Sequence, residues 1–423
     1  MGRGNVLMAY DKVVDSAALD STFTDIADAI REKTGTTGGI ADTAMAAAIR
    51  AIKGGFPNGT EWTQSNVTSG CFNDIYHANG IWVACSDVPM AGLYYSTNGK
   101  TWTQSNITDK RMSSVYYANG IWVASDYSAH LYYSIDGKTW TQSESAISGA
   151  VGFIENANGI WVAGTASKGG LYYSTDGKTW TASNITGKTV SGLYHANGIW
   201  VAGISSGGLY YSTDGKTWTQ SNITSGSGTG ILNANGIWVA TCNGIQTSTD
   251  GKTWTQASSE SLTVKCYANG LWVATGNYKG LLYSTDLTNW TQSNVTGCNF
   301  NLVIYANGIW VAGSATTGSY STTGKGIYYS TNGKTWTQSN ITSGQYKAIH
   351  NANGIWVATT FYGGTEGLLY SVTWETEGFD ITSDENGNVI LGGMTIADDG
   401  EGNVTVAGIT VTDAGNGNVT VGN

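Results

Sequence analysis

The sequence predicts an all-β protein: an eight-bladed antiparallel β-propeller, with seven blades as the alternative, a short N-terminal helical hairpin and a small C-terminal β-repeat. Three observations predict it. All 17 tryptophans fall in two interleaved series. The first series, A-N-G-[I/L]-W-V-A, places its Trp at 82, 122, 161, 200, 238, 272, 310 and 356, a mean spacing of about 39 residues, close to the length of a four-stranded blade. The second, mostly W-T-Q-S-N, occurs at Trp62, Trp102, Trp140, Trp180, Trp218, Trp254, Trp290 and Trp336, with a degenerate Trp374. Finally, glycine numbers 59, about double the usual ~7%, and that surplus is largely made of Asn-Gly and Asp-Gly pairs, the strongest short hairpin signal.

Residues 180–218 show one unit. Trp180-Thr-Ala-Ser-Asn and Val190 to His195 are short strand-like segments, and Asn197-Gly198 turns the second into Ile199-Trp-Val-Ala. After a variable stretch comes Gly208-Leu-Tyr-Tyr-Ser, and Asp214-Gly215 turns it into Trp218. Four short strands with tight turns, repeated, make a propeller. The array starts with a lone fourth strand, Glu61-Trp62-Thr-Gln-Ser, and its last unit, Tyr346 to Ser371, has only three. Pairing the two ends gives eight blades and no free sheet edge.

The second turn recurs as Ser174-Thr-Asp176-Gly177-Lys-Thr-Trp180, Ser212-Thr-Asp214-Gly215-Lys-Thr-Trp218 and Ser248-Thr-Asp250-Gly251-Lys-Thr-Trp254. Ser134-Ile-Asp136-Gly137 fits as well, Asn replaces Asp at Asn98 and Asn332, and Ser284-Thr-Asp286-Leu287 loses the glycine. Residues 60–374 thereby resemble the Asp-box propellers of the bacterial neuraminidase repeat, found in sialidases and in many non-enzymes. The turn itself reads as structural: Asp or Asn bonds its own backbone, Gly takes positive φ, and Trp packs at the sheet end.

Sialidases of that family clamp a carboxylate with three arginines and use a tyrosine nucleophile with a glutamate partner. Here Arg3, Arg31 and Arg50 precede the propeller and only Arg111 lies within it, so that clamp cannot be built. Asp74, Asp87, Asp109, Asp126, Glu144, Glu260 and Glu366 fall in variable stretches, and two at ~5–9 Å would suit a glycosidase, but no pair is singled out. No nucleophile elbow, metalloprotease motif or phosphate-cradling loop occurs. The expectation is a protein without enzymatic activity, with a carbohydrate-active hydrolase as alternative.

Comparison among the units locates the binding surface. The A-N-G and S-T-D-G turns hardly change, while the stretches before A-N-G and after W-V-A do. Alternate connections of a blade lie on opposite faces, so the variable ones share one face, where function is commonly carried. The first kind of connection supplies Phe72, Asp74, Lys110, Arg111, Met112, Lys188, Phe300 and Tyr346. The second supplies Asp87, Asp126, Tyr127, His130, Lys168, Tyr278, Lys279, Tyr320, Phe361, Tyr362 and Glu366. From these, Asp87, Lys110, Arg111, Asp126, Tyr127, His130, Tyr278, Lys279, Tyr320, Tyr346, Phe361 and Tyr362 are the expected ligand-binding residues. Aromatics amid hydroxyls, amides and isolated charges suit sugar rings, and equally a protein partner. His77 and His195 occupy a slot filled elsewhere by Tyr or Asn and read as packing variants.

Before the propeller, residues 1–55 form the expected attachment segment. Phe23, Ile26, Ala27 and Ile30 have helical spacing, and Met45, Ile49 and Ile52 line a second helix. The wording D-I-A-D-A-I-R-E-K-T-G within residues 21–52 resembles a segment of tail fibre and minor structural proteins of tailed phages. That resemblance implies attachment to other virion tail proteins, a virion localisation after synthesis in the host cytoplasm without a signal peptide, and a propeller (56–375) displayed toward a host-surface ligand, in the first instance a glycan. A non-catalytic structural or protein-binding scaffold is the remaining alternative. In residues 376–423, Gly387-Asn-Val, Gly402-Asn-Val and Gly417-Asn-Val precede alternating strands. Small strands are marginal alone, and a homotrimer is expected by resemblance to phage fibres. Nearby acids could hold calcium, yet the spacing of a known calcium loop is missing; otherwise no cofactor is expected.

The remaining composition excludes classes. The net charge of −10 argues against nucleic acid. No apolar run reaches the ~18 residues of a membrane span, and the first residues lack a secretory apolar region. Cys71, Cys85, Cys242, Cys266 and Cys298 are too scattered for a disulfide or zinc framework.

Overall fold

The computed structural model describes residues 59–88, 91–315, 325–360 and 367–372, together with short strands between 381 and 422. Gly59–Ser371 form one compact unit. Eight four-stranded antiparallel sheets make up this unit, so the ring has eight blades. Blades 1 to 7 run consecutively, with inner strands Phe72–Ala78, Met112–Ala118, Val151–Ala157, Val190–Ala196, Thr229–Ala234, Leu262–Ala268 and Asn299–Ala306. Blade 8 contains Tyr346–Ala352, Ile355–Thr360 and Leu368–Val372, and its fourth strand is Thr63–Gln64 from the opposite end of the unit. Thr63 pairs with Tyr370 and Gln64 with Leu369. The ring therefore closes as the unequal ends of the array require, with a single strand pair covering an edge that would otherwise be open.

The turns follow from their residues. In all eight A-N-G turns the Asn has φ between 49° and 52°, from Asn79 to Asn353, and the Gly lies between 69° and 79°. Two successive left-handed residues define the type I′ hairpin, which Asn-Gly satisfies without strain. In the serine–aspartate turn the Ser174 hydroxyl accepts from Gly177 N–H at 2.8 Å and donates to Asp176 Oδ1 at 2.9 Å. Asp176 Oδ1 then accepts the N–H groups of Lys178 and Thr179, each at 2.8 Å. Burial alone would raise this carboxyl, but the Thr179 and Lys178 donors bring its pKa down to about 2. Trp180 stands three residues on as the anchor.

The eighth such turn is assembled from the two ends. Ser371 accepts from Gly59 N–H at 2.9 Å, and Trp62 Nε1 donates to the Gly59 carbonyl at 3.1 Å, the bond that Trp102 makes to Gly99 and Trp140 to Gly137. Ser371 supplies the first half of the motif and Gly59-Thr-Glu-Trp62 the second. Trp374 lies outside the described residues.

The core lies between blades. Val83, Cys85 and Leu93 of blade 1 pack with Met112, Val115, Trp122 and Trp140 of blade 2, and Ile309, Val311 and Ile327 of blade 7 pack with Trp62, Ile349, Trp356 and Leu369 of blade 8. Each W-V-A tryptophan is buried. Inter-blade clasps add direction. Asn66 bonds both the N–H and the carbonyl of Trp102, and the same two-bond clasp joins Asn106 to Trp140, Asn184 to Trp218, Asn222 to Trp254 and Asn294 to Trp336.

The C-terminal region forms a six-stranded antiparallel meander in chain order, from Ile381–Ser383 through Val389–Leu391, Met394–Asp398, Val404–Val406 and Ile409–Asp413 to Val419–Gly422. The predicted helices of residues 22–53 lie outside the described residues, as do the side chains of the acidic residues weighed for calcium.

Candidate functional site

The A-N-G and serine–aspartate turns join the first to the second and the third to the fourth strand of each blade, so they share one face. On that face His77 stacks on Trp82 and His195 on Trp200, both with centroids 4.7 Å apart, as Tyr117 does on Trp122 at 4.9 Å. Burial lowers the pKa of both imidazoles. Lysines of the same turns, such as Lys178 above Tyr133 at 5.3 Å, lie over tyrosines of the preceding blade. This face is occupied by scaffold contacts.

The opposite face carries the variable connections, and there a polar network spans blades 8, 1 and 2. Arg111 Nε donates to the Asp87 carbonyl at 3.0 Å and to Asp87 Oδ1 at 2.6 Å. The guanidinium carbon lies 4.2 Å from the centre of the Tyr127 ring. Tyr127 Oη accepts from Asn73 Nδ2 at 3.0 Å, and Asn73 Oδ1 accepts from Lys347 Nζ at 2.9 Å. The Asp87 side chain is 5% exposed while Arg111 is 50% exposed. The carboxylate is the buried anchor and the arginine the accessible group. Its Nη groups make no bond among the described residues, which leaves the planar donor edge free to receive an acceptor pair.

Beneath this network lies Asp74. Ser114 Oγ and Val115 N–H donate to its Oδ2 at 2.9 and 3.0 Å. Burial nevertheless pushes its pKa up to about 6, with these donors and Lys347 opposing the rise.

Asp126 organises the adjoining loop. It accepts from the N–H groups of Ser128 and His130 at 2.8 and 2.9 Å, pairs with His130 Nδ1 at 2.8 Å, and accepts from Tyr132 Oη at 3.0 Å. It is buried and holds Tyr127 and His130 at the surface. Lys110 pairs with Asp109 at 3.1 Å beside them. Six of the expected residues thus gather on blades 1 and 2.

Tyr278 and Lys279 lie apart from them, on blade 6. Tyr278 is 52% exposed with φ +56°, its N–H held by Asn299 Oδ1 at 2.5 Å. Lys279 pairs with Glu260. Tyr346 is a correction: it is fully buried and packs in the interface between blades 7 and 8, so it contacts no ligand. Phe72, Met112 and Phe300 occupy the same place in their blades and are buried as well. Identity varies there because each interface has its own shape, but in every blade except blade 5, which has Gly228, the position carries an apolar or aromatic side chain. Tyr320, Phe361 and Tyr362 lie outside the described residues.

Asn73, Lys265, Lys347 and Glu155 were not among the expected residues. Glu155 holds the inner-strand position taken by Tyr76, Tyr116, Tyr194 and His350 in other blades, each opposite the valine of W-V-A. Desolvation raises its pKa to about 8, opposed by the His195 N–H of the next blade. An acid in an aromatic slot was the available signal. Among the described residues no group of His, Cys, Asp or Glu could hold a metal ion, no disulfide occurs, and no helix is long and apolar enough to cross a membrane.

No protein-family model and no curated protein matches the chain. Solved propellers do. The computationally designed Ika8 protein aligns with TM-score 0.59 at 11% identity, covering 74% of this chain and all of that one. The Dos1 propeller aligns with TM-score 0.57 at 10% identity over 74% of this chain and 95% of its own. BamB from Moraxella catarrhalis gives 0.53 at 10% identity, over 76% and 98%. At such identities the likeness establishes the fold alone, which hosts many functions.

Proposed function

We propose that the chain is a phage-tail receptor-binding protein whose propeller takes a host-surface glycan on its variable face, without catalysis. The observation that carries the binding reading is the division of labour between faces. Constant turns spend their polar groups on each other, whereas Arg111, Tyr127 and His130 stand exposed on loops braced by buried Asp87 and Asp126. Exposed aromatic rings beside a fixed cation and neutral donors suit a saccharide. The virion assignment rests on the likeness of residues 21–52 to phage tail proteins, and a trimer would follow from it.

Commitment of the carboxylates supports a non-catalytic site. Asp74 is engaged by Ser114 and Val115, Asp87 by Arg111, Asp126 by its loop, Asp109 by Lys110 and Glu260 by Lys279. A glycan array of host-envelope polysaccharides, read for binding and for released product, tests the proposal. Retention without product is expected. Turnover would favour a hydrolase, and retention of host protein with no glycan binding would favour a protein-binding scaffold.

A further inference from the structure

In most blades the inner strand carries a β-bulge at its start, between Phe72 and Asp74 in blade 1 and between Met112 and Ser114 in blade 2. The bulged residue spends its side chain on the next blade: Asn73 on the Met112 carbonyl, Ser191 on that of Gly228, Asn301 on that of Tyr346. Blade 6 differs. Counted back from its A-N-G, Lys265 falls where Ile75, Val115 and Ile154 enter the core. The bulge has moved to lie between Val264 and Cys266. Val264 now sits opposite Ala274, as Ile75 sits opposite Ala84, and is buried in its place. The register slip ejects Lys265 from the core, because an ammonium cannot be left there unpaired.

Lys265 lines a cleft of about 240 Å³ with Thr241, Thr263, Thr275, Asn277 and Asn299. It is half-buried and has no hydrogen-bond or ion-pair partner among the described residues, and desolvation lowers its pKa. Glu260, the acid on the adjoining connection, is taken by Lys279. Thr263 and Thr275 face each other across the strand pair, and neither hydroxyl has a hydrogen-bond partner among the described residues. Asn299 braces the rim by bonding Asn277 at 3.2 Å and the Tyr278 N–H, and Tyr278, the neighbour of the lining residue Asn277, is 52% exposed.

We infer that this cleft is a subsite for the carboxylate of an acidic sugar. One unpaired cation among neutral hydroxyls and amides matches one negative charge on a hydroxylated ligand. No arginine lines the cleft, so the bidentate fork that favours phosphate is missing. The exposed Tyr278 ring offers the apolar face against which a pyranose stacks. The inference rests on the glycan reading above and narrows it to polysaccharides containing uronic acid.

The test uses the full chain and pairs of acidic polysaccharides, glucuronate- and galacturonate-containing, each beside its carboxyl-reduced neutral form. Wild type is expected to prefer the acidic member. Lys265→Gln should weaken that binding about tenfold while Lys265→Arg keeps it within about threefold, as the loss or retention of one charge-assisted contact implies. Unchanged melting of both variants would separate this from misfolding. Equal binding of acidic and reduced forms, or indifference to Lys265→Gln, overturns the subsite and leaves the glycan reading standing. Displacement of the uronate by equimolar inorganic phosphate also overturns it. Absence of binding to every polysaccharide overturns both.

Discussion

Asn340 and Trp62, 278 residues apart in sequence, share two hydrogen bonds: Trp62 N–H donates to Asn340 Oδ1 at 2.8 Å, and Asn340 Nδ2 donates to the Trp62 carbonyl at 2.9 Å. It is the same clasp that joins neighbouring blades elsewhere, here made between blade 7 and the strand that closes the ring. Asn340→Ala removes both bonds and leaves two backbone groups to water, at a cost of about 1–3 kcal/mol. Asn184→Ala loses the equivalent pair to Trp218 at similar equilibrium cost. Only Asn340→Ala should speed proteolytic cleavage before Gln64, because there the clasp holds the first strand of the propeller rather than a strand bound within one repeat. Limited proteolysis beside urea melts checks both halves.

Leu287 tests what the turn demands. It stands in the glycine position at φ +66°, yet is buried in the blade 5–6 interface. Left-handed backbone costs an L-residue about 1–2 kcal/mol, which offsets part of the burial. Leu287→Gly is expected to cost under about 2 kcal/mol, whereas Leu281→Ala, buried without that strain, should cost about 2–5 kcal/mol. Urea midpoints compare them.

Stability should fall as pH rises above 6.5, the ordinary histidine value, toward the raised pKa of Glu155 at about 8. The folded pKa values of Asp74 and Glu155 are raised from 3.8 to about 6 and from 4.5 to about 8. The folded state therefore holds protons that the unfolded chain releases, and their contribution is lost between pH 4 and 8. The turn aspartates act oppositely: Asp136, Asp176, Asp214 and Asp250 are lowered and give up their contribution below the ordinary carboxylate range. Burial lowers the pKa of His77, His195 and His350 below 6.5, so these three oppose the trend on the acid side, and the clear fall is expected above pH 6.5 as Glu155 titrates. Glu155→Gln, which still accepts from His195 N–H, should flatten the slope and gain on the order of a few kcal/mol at pH 8.5. Melting temperatures from pH 4 to 9 decide it.

Arg111→Lys keeps the charge and loses the planar fork, so ligand affinity should drop by about tenfold or more if the Nη edge is used. Tyr127→Ala should drop it further. Lys178→Ala, on the constant face, should leave it unchanged. Titration against whichever polysaccharide the array retains reads all three.

The repeats made the ring legible because propeller strands are local. Every hairpin lies within one unit, and the Asn-Gly and Asp-Gly pairs dictate their own φ angles. The closure was legible from the unequal ends, although the completion of the eighth turn by Ser371 and Gly59 was not. The site was legible only as a face. Asp87 and Arg111 come from different blades, and nothing local couples them. Tyr346 misled because a change of identity at an interface looks like a change at a surface. Lys265 was hidden by a one-residue slip of register, visible only once Val264 is seen opposite Ala274.

The closing strand pair also sets how the ring bears load. Whatever precedes Gly59 and follows Ser371 leaves the propeller from blade 8, and Thr63 at the start of one strand lies opposite Tyr370 near the end of the other. Tension applied between the two exits would pull both strands from the same end and part them like a zipper, one rung at a time. The Ser371–Gly59 bond and the anchored Trp62 take that force first, while blades 1 to 7 are shielded. Under such tension the first element to part is this two-residue seam, and its rupture would unlatch the ring without unfolding the remaining blades.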